Sequence, residues 1–154
     1  MIIFGYPGIG KSTLGGKNSI IDLESSLFKI NRNWSWYIPY CAVADSLSRQ
    51  GYIVFVSSHA EVINYLQNTS TESMYIIMPA PQLRDNWIKR LRLRYINTVD
   101  SKDYRAWQNA ETNYTQNIND LCNCGIQYYR IDDMDYVLQD IVDYLVDFDN
   151  EWHK

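Results

Sequence analysis

Residues 5–13 read Gly5-Tyr6-Pro7-Gly8-Ile9-Gly10-Lys11-Ser12-Thr13, and this stretch decides the fold. It holds the pattern G-x-x-x-x-G-K-[ST], with the apolar run of residues 1–4 before it and a helix start after it. Glycines at positions 5, 8 and 10 let the chain turn tightly with successive backbone N–H groups pointing inward, which makes a nest for an anion. A following helix adds the positive end of its dipole. Lys11 is placed to reach the β and γ phosphates of a nucleotide, and Ser12 to offer a hydroxyl to Mg²⁺. Gly5, Gly8, Ile9, Gly10, Lys11, Ser12 and Thr13 therefore read as a phosphate-binding loop between a buried strand and a helix.

Outward from the loop, short apolar runs at residues 19–23, 52–56, 75–78 and 126–131 read as further buried strands. Helical spacing marks residues 34–49, closed by Gly51, and residues 59–67, 82–95, 103–121 and 134–152. Gly15 and Gly16 break the helix that opens at Lys11 after little more than one turn. Alternating helices and buried strands predict an α/β fold on a parallel sheet. Ligands of such sheets bind beyond the carboxyl ends of the strands, so site residues are sought just after each strand.

The chain of 154 residues suffices for one domain, covering residues 1–154. With 46% apolar and 21% charged residues it is not expected to be disordered. A net charge of -4 disfavours nucleic acid as a partner. No apolar run approaches the roughly 18 residues of a membrane span. The start of the chain lacks a basic leader, and the three cysteines are an odd count, so a cytoplasmic protein with reduced thiols is expected, as a monomer or weak homodimer.

The full string of residues 5–13 resembles the adenylate-kinase type of loop, G-x-P-G-x-G-K-[GS]-T. That form is characteristic of nucleoside monophosphate kinases and of similar small kinases, the shikimate and gluconate kinases among them. Arg90-Leu91-Arg92-Leu93-Arg94 is similar to the R-L-x-x-R segment leading into that family's lid, and residues 129–141 are similar to its last strand and helix. The resemblance implies a P-loop NTPase fold: a three-layer sandwich with five parallel strands in the order 2-3-1-4-5, helices on both faces, and a short lid at about residues 95–104. It also implies ATP and Mg²⁺ as cofactors. The γ-phosphoryl group would pass to a small acceptor, first a (deoxy)nucleoside monophosphate. Alternatives are a metabolite kinase of the shikimate or gluconate type, or a non-catalytic ATP-binding module. The third strand meets Ser57 where a Walker B aspartate is expected.

Asp22 and Glu24 resemble the D-x-D that small-molecule kinases of the family carry after their second strand. Two residues apart, they share one side of an extended segment. Asp22 is expected to organise metal-bound water or the acceptor and Glu24 to meet the acceptor, the alternative being a solvated strand end. Arg90 and Arg94 share a helix face and suit bidentate contacts to a transferring phosphoryl group, although most charge runs are solvated faces. Ser58 and His59 follow the third strand, as site residues or as a helix cap. Arg32 and Trp34 fall where the family binds its acceptor; surface Arg and core Trp is the other reading. Lys102 and Arg105 are candidate lid contacts, and Cys122 with Cys124 lacks partner ligands at zinc spacing.

Overall fold

In the computed structural model, which describes residues 1–14, 19–30 and 34–152, the sheet grows outward from β1 (Ile2–Gly5). Ile2, Ile3 and Phe4 are apolar on both faces and wholly buried, which fits a central strand. β1 runs parallel to β3 (Ile53–Ser57) on one side and to β4 (Met74–Pro79) on the other. β2 (Ile20–Asp22) lies beyond β3, and β5 (Tyr128–Ile131) lies beyond β4. The result is a five-stranded, all-parallel sheet, as the alternating pattern predicted, in the order β2-β3-β1-β4-β5 that the resemblance implied. Gly5 pairs with Ser57 and Asp22 with Phe55, so the loop after β1, the end of β3 and the end of β2 open on one rim.

The helices are α1 (Tyr37–Arg49), α2 (Ala60–Thr69), α3 (Arg84–Thr98), α4 (Ser101–Cys122) and α5 (Leu138–Trp152). α1 packs on α2 and β3, α3 packs along α4, and α4 also meets β4. Trp87, Tyr40, Tyr114, Phe4 and Phe55 are the bulkiest buried side chains. No helix among the described residues is long and apolar enough to cross a membrane.

Several boundaries differ from the sequence reading, each for a physical reason. Among the described residues, which here end at Leu14, the glycine loop leads into a 3-10 turn, Lys11–Thr13. Gly15 and Gly16 lie outside the described residues. α1 begins at Tyr37, not at residue 34, and carries Pro39 in its first turn, where a missing N–H costs nothing. β5 is an edge strand with Tyr128 and Arg130 exposed, so it is not buried like β1. Residues 95–104, expected as a lid, are nearly all helical: α3 runs to Thr98 and α4 opens at Ser101. Val99 turns the corner between them in a left-handed conformation, φ 54°, and Asp100 caps α4 by accepting the Lys102 N–H at 2.7 Å. α5 begins four residues late because residues 134–137 form a turn that delivers Tyr136 to the glycine loop.

Candidate active site

Gly8 and Gly10 take φ of 90° and 98°, the left-handed conformations that turn successive N–H groups inward. At Gly5 the constraint is space. A Cβ there would stand 2.9 Å from Cδ of Lys11, so the Lys11 stem folds back across Gly5 over the end of β1. Thr13 Oγ1 donates to the Gly10 carbonyl at 2.7 Å, whereas the exposed Ser12 hydroxyl has no hydrogen-bond partner among the described residues.

The outer side of the loop is fastened by side chains from far along the chain. Trp87 Nε1 donates to the Pro7 carbonyl at 2.8 Å. Arg90 Nη1 donates to the Gly8 carbonyl at 3.1 Å and to Tyr136 Oη at 2.8 Å. Tyr136 Oη in turn donates to the Ile9 carbonyl at 2.7 Å. The Arg90 guanidinium lies 4.5 Å from the Trp87 ring centre and 5.4 Å from that of Tyr136. Sequence reasoning placed Arg90 against phosphate; it sits against the back of the loop. Trp87 and Tyr136 were missed, because neither belongs to a spaced motif. The one legible hint was Trp87 and Arg90 three apart on a helix face.

Around Lys11 the other candidates gather as charges. Lys102 Nζ meets Glu24 Oε2 at 2.6 Å, which ties the start of α4 to the segment after β2. Arg94 Nε meets Asp103 Oδ1 at 2.7 Å, and Thr98 Oγ1 donates to the other oxygen at 2.6 Å. Burial alone would raise the Asp103 carboxyl, but these hydrogen bonds and the adjacent cations hold it below the ordinary range. The two terminal nitrogens of Arg94 have no hydrogen-bond partner among the described residues. Burial pushes Lys11 below the ordinary lysine value; Lys102 and Arg94 push the same way, and Asp22 and Glu24 oppose. Burial likewise raises Asp22, with Lys11 opposing and Glu24 adding to the rise. Desolvation thus outweighs mutual attraction at both groups.

Beyond the end of β3, His59 stands at the N-cap of α2. His59 Nδ1 lies 2.8 Å from Ser57 Oγ and its Nε2 lies 3.4 Å from Lys29 Nζ. An ammonium only donates, so Nε2 accepts and Nδ1 carries the proton toward Ser57. Withdrawal from bulk water, then Lys29, pushes His59 down to about 4, so the ring is neutral at pH 7. Lys29 also lies 4.5 Å over the Trp36 ring, and His59 meets that ring edge-on. Trp36 is a core residue at 8% exposure, while Trp34 is 93% exposed. Ser58 is half-buried beside this group, and Arg32 lies outside the described residues. Tyr40 Oη accepts the Ser57 N–H at 2.9 Å and donates to the Leu23 carbonyl at 2.8 Å, which locks the ends of β2 and β3 together.

A groove of about 450 Å³ runs beside the loop, between Gly10, Thr13, Arg90, Tyr136 and Val137. A hollow of about 470 Å³ lies at the amino end of β5, among Tyr75, Tyr128, Tyr144 and Phe148. The hollow is aromatic and holds no charged side chain, so the chemistry favours the groove. The chain matches no protein-family model and no curated protein sequence.

Proposed function

We propose that this chain is an ATP-dependent phosphotransferase that moves the γ-phosphoryl group of Mg-ATP to a small acceptor, in the first place a (deoxy)nucleoside monophosphate. One observation carries the reading. Lys11 is folded over Gly5 at the end of β1, beside left-handed Gly8 and Gly10, in a group that joins Asp22, Arg94 and Lys102. The part-buried ammonium is held below the ordinary lysine value by desolvation, which Asp22 and Glu24 oppose without cancelling, and a polyphosphate would supply the remaining counter-charge.

In this reading the inward N–H groups of residues 8–11 and Lys11 hold the β and γ oxygens. The groove beside Tyr136 and Val137 takes the nucleoside. The free terminal nitrogens of Arg94 face the charge that develops on transfer. Mg²⁺ needs only one or two protein ligands, its other positions going to water and phosphate. The exposed Ser12 hydroxyl, which has no hydrogen-bond partner among the described residues, and the Asp22 carboxylate fit that demand. The ion supplies charge neutralisation across the phosphates when bound. Asp22 orients water or an acceptor oxygen, and Lys29, His59 and exposed Trp34 border the acceptor. Catalysis is positioning and charge stabilisation.

Ser57 favours a second reading. It stands at the end of β3, bonded to His59, where a carboxylate would strengthen a metal site, and this supports a non-catalytic ATP-binding module. Calorimetric titration with Mg-ATP tests what the two readings share. Binding that Lys11→Ala weakens roughly 100-fold is expected from losing a charge-assisted contact. Absence of binding to the unaltered chain sinks both.

A further inference from the structure

We propose that Trp87, Arg90 and Tyr136 are positioning residues that set the shape of the phosphate-binding loop by holding three consecutive outward carbonyls, those of Pro7, Gly8 and Ile9. The proposal rests on the phosphate-binding reading above.

The physical demand comes from the nest itself. A peptide unit that turns its N–H inward turns its carbonyl outward. Those carbonyls meet side chains of α3 and of the segment before α5 in part-buried contacts, and a carbonyl withdrawn from water needs a donor. The indole N–H and the guanidinium are donors only, so each accepts one orientation of the peptide opposite it and rejects the flipped one. Tyr136 completes the unit, because its hydroxyl accepts from Arg90 and donates to Ile9. The Trp87 and Tyr136 rings lie 20° from parallel, with Arg90 over both. The approach is close: a Cβ on Gly8 would stand 3.0 Å from Leu91 Cδ2 and 3.1 Å from Trp87 Nε1.

The local hydrogen bonds among the described residues run from Thr13 N–H to the Gly10 carbonyl and from Leu14 N–H to the Lys11 carbonyl, so they support the 3-10 turn Lys11–Thr13 and not the carbonyls of residues 7–9. The three side chains supply that support across sequence separations of 80, 82 and 127 residues. Arg90 therefore acts through the loop, and its effect on transfer is indirect.

The test uses Tyr136→Phe, which keeps the ring and deletes only the hydroxyl, and Trp87→Phe, which deletes the N–H donor and also trims a fully buried indole to a phenyl ring. The probes are Mg-ATP and inorganic tripolyphosphate, the latter touching the loop without a nucleoside. Each variant is expected to bind both probes roughly five- to ten-fold more weakly, having lost one hydrogen bond to a loop carbonyl, while Tyr136→Phe also loses the acceptor for Arg90. The thermal midpoint of Tyr136→Phe should fall little, and the KM for ATP should rise while the KM for the acceptor holds. Arg90→Lys, still a cationic donor, should retain more affinity than Arg90→Met. Unaltered affinity in both phenylalanine variants overturns the proposal, as does an equal rise in both KM values. If the unaltered chain binds neither probe, the phosphate reading fails by itself. The amide resonances of Gly8 and Gly10 then decide the clamp: shifts in the variants sustain it, and unchanged resonances overturn it.

Discussion

The two halves of the candidate site are built in opposite ways. The loop half is held by neutral packing and donor-only side chains: Trp87 is wholly buried and Arg90 lies over two rings. The opposite half is made of exposed polar groups that pair with one another: Lys102 meets Glu24 as an ion pair, and the Lys29 ammonium meets the neutral His59 ring. An exposed ion pair of this kind contributes at most about 1 kcal/mol. The difference teaches that the loop is held in shape by the protein itself, whereas a ligand on the other side would meet weak, displaceable partners. Under the proposed function, that contrast would suit a common donor at the loop and a selected acceptor opposite.

The largest effect that would break this comparison comes from Lys11→Ala, which should lower phosphoryl transfer by about 10³-fold, read from kcat/KM, as expected for a preorganised charge at the reacting group. Next, Trp87→Ala should cost about 3–5 kcal/mol of folding stability in denaturant unfolding, as a fully buried indole is lost. Gly8→Ala, which forces a side chain into φ 90° and against Leu91, should cost about 1–3 kcal/mol and weaken ATP binding. Lys102→Ala should change stability by less than about 1 kcal/mol and act chiefly on the KM of the acceptor. A large loss of stability there would erase the contrast between the halves.

The smallest effect is a pH dependence. The folded chain holds His59 at about 4, below the ordinary value of 6.5. The neutral ring therefore contributes stability that is fully present above about pH 6.5 and is lost as pH falls toward 4. Between pH 7 and pH 5 the thermal midpoint should fall further in the unaltered chain than in His59→Asn. Equal falls would show that the ring is freely solvated and that Lys29 does not face it.

The sheet was legible because its strands are apolar runs of the right length, from Ile2 to Phe4 and from Val54 to Val56, each bounded by turn residues. The glycine loop was legible because its spacing is local. Arg94 and Asp22 were found as single residues, but their partners were not. Asp103 meets Arg94 across a helix corner that depends on Val99 adopting φ 54°, which nothing in its type foretells. Tyr136 continues the apolar spacing of the last helix, yet it is drawn out of that helix to reach Ile9, 127 residues away. No periodicity carries a contact at that separation. Glu24 and Lys102 were each singled out in sequence, but they are 78 residues apart and nothing in the sequence pairs them with one another.

The most direct measurement follows the γ-phosphoryl group. The unaltered chain and Lys11→Ala are incubated with Mg-ATP and a panel of ribo- and deoxynucleoside monophosphates, and the products are separated. The account predicts formation of a nucleoside diphosphate from at least one acceptor, dependent on Lys11. ATP that is bound but never transferred to any acceptor, nucleotide or metabolite, would contradict it and leave the ATP-binding module.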